Sequence, residues 1–270
     1  FDKIISSNDP TIFDYSKYSK NFLWLHNKLT LEKAFRKRKI LSIFRNKIDA
    51  IFVSNYLLKK TTNIYKFRQK IVIQNFLDPT FYNIEAQINK KPYFIWSVQR
   101  DKGLEEVIDI WINNINPKYK KFKLFIFGIN KTNLGKYNLK KLTDSNIFYK
   151  GRVKKKTLIT FYKKSMGMIC LGFDETFCLN AIESYACGMP IITFGHTAVA
   201  EISNQKNSFK LSNYNDISKR IIQIANMDFK SRKKMINYCV KYSRKYYLDL
   251  IFRKWLKLIN KQSDDKQNFI

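Results

Sequence analysis

Two carboxylates separated by seven residues, Glu175 and Glu183, are the part of this sequence best suited to chemistry on a polar ligand. They lie in the stretch Met166 to Pro190. There an apolar run, Met166 to Phe173, meets Asp174-Glu175-Thr176, and a helix-like segment follows to Cys187. Gly188 just past its end and Pro190 soon after are helix-stop residues. The order is strand, turn, helix, and in a parallel α/β sheet such a turn sits at the carboxyl end of a strand, where ligands bind. The apolar stripe of the helix reads Leu179, Ile182, Ala186, with Glu183 inside it and Glu175 one turn earlier on the same side. A carboxylate on an inward face is costly unless something hydrogen-bonds it. Either Glu183 pairs with one of the many Lys and Arg side chains, or both carboxylates accept hydrogen bonds from ligand hydroxyls. The backbone N–H groups of Phe177, Cys178 and Leu179 at the helix start would face an anion. Two acceptors for hydroxyls beside a cradle for phosphate describe a sugar nucleotide.

Other reactive side chains also follow strand-like runs. Tyr93 to Val98 leads into Gln99-Arg100-Asp101-Lys102-Gly103, and two cations at a strand end can neutralise a diphosphate leaving group. In a chain with 51 Lys and Arg, chance placement competes with that reading. His26 follows the aromatic run Asn21 to Leu25, placed either for ligand contact or as a structural hydrogen-bonder. All eight glycines lie between Gly103 and Gly195, so backbone that approaches a ligand closely is expected within that span.

Glu175 and Glu183 with the trailing Ala186-Cys187-Gly188-Met189-Pro190 resemble the E-x7-E signature of retaining glycosyltransferases with the GT-B fold, of the GT4 type. The resemblance implies that Glu175 contacts the donor sugar and Glu183 the ribose of the nucleotide. It puts Arg100 and Lys102 on the departing diphosphate, and His26 beside the donor phosphate and reacting sugar. It gives backbone around Gly151-Arg152-Val153 the nucleotide base, which makes Arg152 and Val153 base-pocket residues. The implied co-substrate is a nucleotide-diphosphate sugar, with no cofactor and no metal. The implied acceptor is a glycan or a lipid-linked species. Two positions depart from the family: Cys178 stands where glycine is usual, and His196 where paired glycines are common. Family members also carry more sequence before the linker, including a glycine-rich loop, so the first lobe is expected to be truncated.

The supporting elements alternate between strand and helix, which predicts a doubly wound parallel α/β architecture; the resemblance implies that it is GT-B-like, with two Rossmann-like lobes and the first incomplete. Residues 1–80 are expected to form the acceptor-side lobe. Its strands are placed near Lys3 to Ser6, Asn21 to Leu25, Ala50 to Ser54 and Lys70 to Gln74, with a helix from Thr30 to Arg45 capped by Thr30. A linker follows over 81–91, then a nucleotide-sugar lobe over 92–246. In that lobe the helix after Gly103 presents Leu104, Val107, Ile108, Trp111 and Ile115 on one face. Further strands are read at Phe122 to Phe127, Asn146 to Tyr149 and Ile191 to Phe194, and helices at Lys155 to Lys164, Ile217 to Ala225 and Ser231 to Tyr247. The segment from 247 carries Leu248, Ile251, Phe252, Trp255, Leu256 and Ile259 on one stripe. It reads as a helix docking on the first lobe, with an anionic membrane as the competing partner. Residues 262–270 read as a polar tail.

The net charge of +30 suits anionic partners, but abundant Lys, Asn, Ile, Tyr and Phe with scarce Gly and Pro is also what AT-rich coding produces. The run Arg36-Lys37-Arg38-Lys39 reads as a solvated helix face, so nucleic acid is not the expected partner. The rival reading is a basic non-catalytic protein gripping nucleic acid or anionic membrane. Cys170, Cys178, Cys187 and Cys239 lack metal-ligand spacing and read as buried thiols of a reducing compartment. The start, Phe rather than Met, reads as that of a fragment or processed product, with nothing like a signal peptide. No apolar run approaches the ~20 residues of a membrane span. A cytoplasmic protein, at most peripheral at the inner membrane face, is expected.

Overall fold

The computed structural model describes residues 2–15, 20–30, 32, 35, 40–98 and 102–260. The chain divides into two compact units, Phe1–Phe76 with Asp249–Ile270, and Leu77–Leu248.

Among the described residues the first unit holds four parallel strands, β1 (Lys3–Ser7), β2 (Lys20–Leu25), β3 (Ile48–Phe52) and β4 (Gln69–Val72), in the spatial order β1-β2-β3-β4. Residue partners such as Leu23 with Ala50 and Ile51 with Ile71 fix the register. β3 is buried along its whole length, including Asp49, which accepts from Arg68 Nε at 2.7 Å and also from Arg68 Nη2. Paired in this way, a charged residue sits in a central strand, so β3 starts two residues before the apolar run that predicted it. It also ends earlier, because Ser54 caps a helix instead: its Oγ accepts from Leu57 N at 3.0 Å. Of the helix expected over 30–45, Ile40–Arg45 (α1) is described as helical, while Arg36 to Lys39 lie outside the described residues. The Thr30 carbonyl accepts from the Tyr65 hydroxyl.

The helix Leu248–Asn260 covers one face of this sheet. Ile251 and Trp255 pack with Phe22, Ile51 and Ile73, and the Trp255 ring meets Trp24 edge-on at 5.2 Å. The contact stripe is narrower than the sequence suggested. It runs Ile251, Trp255, Leu258, Ile259, whereas Leu248, Phe252 and Leu256 are exposed. Phe252 and Leu256 sit about 100° further round the helix than Ile251 and Trp255, off the line facing the strands.

The second unit contains a six-stranded parallel sheet built from β5 (Lys91–Trp96), β6 (Lys123–Phe127), β7 (Ile147–Gly151), β8 (Ser165–Ile169), β9 (Ile191–Thr193) and β10 (Ser208–Lys210). Its spatial order is β10-β9-β8-β5-β6-β7, so the chain builds outward from β5 on one side and then returns to β8 on the other. That is the doubly wound pattern, and its crevice lies beyond the carboxyl ends of β5 and β8. The expected amphipathic face after Gly103 is present: Leu104, Val107, Ile108, Trp111 and Ile115 are all buried. Within the segment read as a linker, Phe81 is buried and Lys90 Nζ donates to the Lys163 carbonyl at 2.8 Å and the Cys187 carbonyl at 3.2 Å, both in this unit. Ser97 and Val98, expected in β5, leave the strand and turn toward the crevice. Among the described residues no helix is long and apolar enough to cross a membrane.

Candidate donor-binding site

The turn after β8 and the turn after β5 meet at the crevice. Lys102 Nζ lies 3.7 Å from Glu175 Oε1, and both side chains are mostly covered. Gly103 makes that approach possible. Its φ of +98° suits glycine, and a Cβ there would lie 2.7 Å from Leu171 Cδ1. Arg100, the other expected cation, lies outside the described residues.

After α1 come the helices Asn55–Lys60 (α2), Leu104–Ile110 (α3), Leu139–Asp144 (α4) and Lys155–Lys164 (α5), and Cys178 immediately precedes the next, Leu179–Ala186 (α6). Its φ of +66° is the left-handed conformation that glycine adopts freely and that costs other residues about 1 kcal/mol. The cysteine thus takes the backbone shape the usual glycine would give. Its Sγ is buried 3.3 Å from Cys170 Sγ, and that neighbour together with burial holds the thiol well above the ordinary range. Among the described residues the amides of Phe177, Cys178 and Leu179 have no acceptor, as expected at a helix start.

The buried face of α6 differs from the predicted stripe. Ala181, Ile182, Tyr185 and Ala186 are buried, whereas Leu179 is 38 % exposed. Asn180 and Glu183, three residues apart, share another side of the helix. Asn180 Nδ2 donates to the Ser97 carbonyl, tying the helix start to the end of β5. Glu183 is partly buried and, among the described residues, makes no ion pair within 4.0 Å and no hydrogen bond. Burial pushes its carboxyl up to about 7, with Lys155 opposing and Asp78 reinforcing the shift. Among the described residues, the alternative in which Glu183 is neutralised by a salt bridge is therefore not adopted. Lys155 is engaged by Asp78. Beside Glu183 the Tyr162 hydroxyl is buried, with no hydrogen-bond partner among the described residues.

A cavity of about 360 Å³ opens at the same strand ends. Ser97 and Val98 line it just after β5, Phe127 and Gly128 at the end of β6, Arg152 and Val153 just after β7, and Asn180 from α6. The structure thus gathers Arg152 and Val153 around one cavity and Lys102 and Glu175 into one pair, with the amides at 177–179 and Glu183 on the helix between strand ends. His26 belongs to the other unit, at the end of β2. Its backbone N–H donates to Asn8 Oδ1, its ring lies 4.3 Å from Trp24, and burial lowers its pKa, favouring neutral imidazole. Ser97, Asn180 and Tyr162 escaped the sequence reading. Asn180 alone left a trace, standing one turn before Glu183. Among the described residues no three His, Cys, Asp or Glu side chains group as metal ligands.

Residues 81–242, well over half of the chain, match the family described as Glycosyl transferases group 1. The chain belongs to that family. No curated protein sequence matches it. Among solved structures, this group 1 glycosyltransferase chain is similar to sucrose-phosphate synthase from Thermosynechococcus elongatus, with 14% identity and a TM-score of 0.75 over 98% of this chain and 74% of that one. It is similar to S. aureus TarM, solved with Fondaparinux, alpha-GlcNAc-glycerol and UDP, with 18% identity and a TM-score of 0.73 over 95% of this chain and 55% of that one. It is also similar to Anabaena HepE in complex with UDP and glucose, with 12% identity and a TM-score of 0.75 over 96% and 78%. The chain thus spans about half the length of TarM. These likenesses show the GT-B glycosyltransferase fold, in keeping with two Rossmann-like units.

Proposed function

We propose that this chain binds a nucleotide-diphosphate sugar in its second unit and transfers the sugar, with retention of configuration, to a glycan or lipid-linked acceptor. The observation that carries this reading is Glu183, a partly buried carboxylate without a partner among the described residues, one turn beyond Asn180, which lines the cavity. Retained unpaired in that position, it suits ligand hydroxyls, since burying an unsatisfied carboxylate only costs stability. In this reading the base enters the cavity by Arg152 and Val153, and Glu183 accepts hydrogen bonds from the ribose. The diphosphate meets the amides of 177–179 and Lys102, with Arg100 assisting. As the bond from the sugar to the diphosphate breaks, negative charge grows on the leaving oxygen, and a cation already in place stabilises it without reorganising. Glu175, held beside Lys102, orients the donor sugar. For His26 the reading rests on the family resemblance, and its neutral ring can accept or donate one hydrogen bond. The residues invoked need no metal. The UDP complexes of TarM and HepE favour a nucleotide donor of this class. A GT4-type enzyme of glycan biosynthesis, cytoplasmic and in peripheral contact with anionic membrane through its basic surface, fits the charge.

Thermal unfolding with UDP-, GDP- and ADP-glucose tests the donor site. A ligand at ~100 times its dissociation constant adds about 2.7 kcal/mol, a rise of roughly 5–10 °C for a chain of this size. One of the three is expected to give that rise. If none does while heparin shifts the transition, the basic binding-protein reading replaces this one.

A further inference from the structure

We propose that Phe173, Phe194, His196 and Tyr214 form an aromatic shelf that receives the C–H face of a pyranose ring beside the Lys102–Glu175 pair, an inference that rests on the sugar-nucleotide reading above. The four rings form one continuous group. Phe173 lies 5.5 Å from Phe194, Phe194 lies 5.3 Å from Tyr214, and His196 lies parallel to Phe194 at 5.7 Å with only 7° between the planes. The core below already closes with Leu171, Ile192 and Thr193 buried, whereas Phe173, Phe194 and Tyr214 are half-buried and His196 is exposed. These rings are therefore not fully consumed by packing.

Their position is fixed relative to the polar pair. A Cβ on Gly103, next to Lys102, would stand 3.4 Å from both Phe173 Cε2 and Tyr214 Oη. Phe173 precedes Glu175 by two residues. The turn carrying His196 is tied to that loop twice, by Thr197 Oγ1 donating to the Gly172 carbonyl at 2.6 Å and by Ala198 N donating to the Glu175 carbonyl at 3.2 Å. A carboxylate, a cation and partly exposed aromatic rings together match a sugar: hydroxyls for the charged groups, and weakly positive C–H bonds for the negative face of a ring. The pyranose could be the donor's or the acceptor's. Both present the same chemistry.

Titration of UDP, GDP, ADP and their glucose esters into wild type, Phe173→Leu and His196→Ala reads the donor source. Leu keeps apolar bulk without the ring, and His196 is exposed, so its loss does not threaten the fold. The expected result is an unchanged affinity for the bare nucleotide and an advantage for its glucose ester reduced about fivefold in Phe173→Leu. Saturation-transfer NMR with methyl α-D-glucopyranoside, with and without nucleotide, reads the acceptor source, and its signal should fall in both variants. Either loss supports the shelf, and the arm that responds names the source. If neither arm changes in either variant, the shelf is overturned. If no nucleotide binds at all, the donor-site reading fails separately, and saturation transfer to the glucoside alone still decides the shelf.

Discussion

Glu183→Gln is expected to stabilise the ligand-free protein while weakening its grip on a sugar nucleotide. Burial holds the Glu183 carboxyl at about 7 rather than 4.5. The folded state therefore binds that proton more tightly than the unfolded chain. Stability falls as pH rises from 4.5 through 7, and the full penalty is present above that. Gln carries neither proton nor charge, so the penalty vanishes. Against wild type, the variant should gain nothing at pH 4 and about 1–3 kcal/mol at pH 8. Asp78 does not confuse this window. Lys155 and Thr80 hold its carboxyl down at about 2, so its contribution is present above 3.8 and is lost only as pH falls through 2. Binding moves the other way. A carboxylate accepts both ribose hydroxyls with charge-assisted hydrogen bonds, whereas an amide has one acceptor oxygen, so affinity should drop about 10- to 100-fold. Wild-type affinity should also rise with pH through 7 while that of the variant stays flat. Urea unfolding at pH 4, 6 and 8, paired with nucleotide-sugar titrations, checks both halves. A variant less stable than wild type at pH 8, or one that binds equally well, would sink the assignment.

The opposed signs explain what could and could not be read from the chain. Parallel strands covered on both faces must be apolar runs, so β6 and β9 stood out with nearly correct limits, while β8 stops at Ile169, four residues short of the apolar run that marked it. The Glu175–Glu183 pair was legible because carboxylates at helical spacing within an apolar stretch conflict with burial. The stripe itself was misjudged at Leu179, whose position in the first turn leaves it exposed rather than facing the sheet. Asp49 concealed the start of β3, because its neutralisation by Arg68, 19 residues away, is a tertiary fact. Ser97 carries no signal of its own: its carbonyl matters only because α6 brings Asn180 to it. Cys178 is the most instructive position. A cysteine stands where the family usually has glycine, yet the backbone takes a φ of +66°, with burial of the side chain against Cys170 offsetting a strain of about 1 kcal/mol. The sequence shows which residue types are present, while conformation can follow the surrounding fold.

Lys102→Met should abolish most of the chemistry while leaving the base cavity intact. Met retains an unbranched stem of similar length, so what is lost is the ammonium, which lies 3.7 Å from Glu175 Oε1. Two consequences follow. The leaving diphosphate loses a preorganised cation, which should lower the rate of sugar release about 10²- to 10³-fold. Glu175, mostly covered, also loses the charge beside it and will hold the donor sugar less well. Neither change reaches Phe127, Arg152 and Val153, which line the cavity from other strands. Affinity for the free nucleoside should therefore remain as in wild type, while affinity for the nucleoside diphosphate falls. That split separates a diphosphate ligand from a structural lysine. Calorimetry with uridine and UDP, or with the nucleoside pair selected by the thermal screen, measures it even where turnover is slow. Hydrolysis of the matching sugar nucleotide measures the rate. If nucleoside and diphosphate weaken together, Lys102 only supports the loop. If the diphosphate affinity and the rate both hold, the pair formed with Glu175 serves the fold, and the leaving group is met by the helix amides without it.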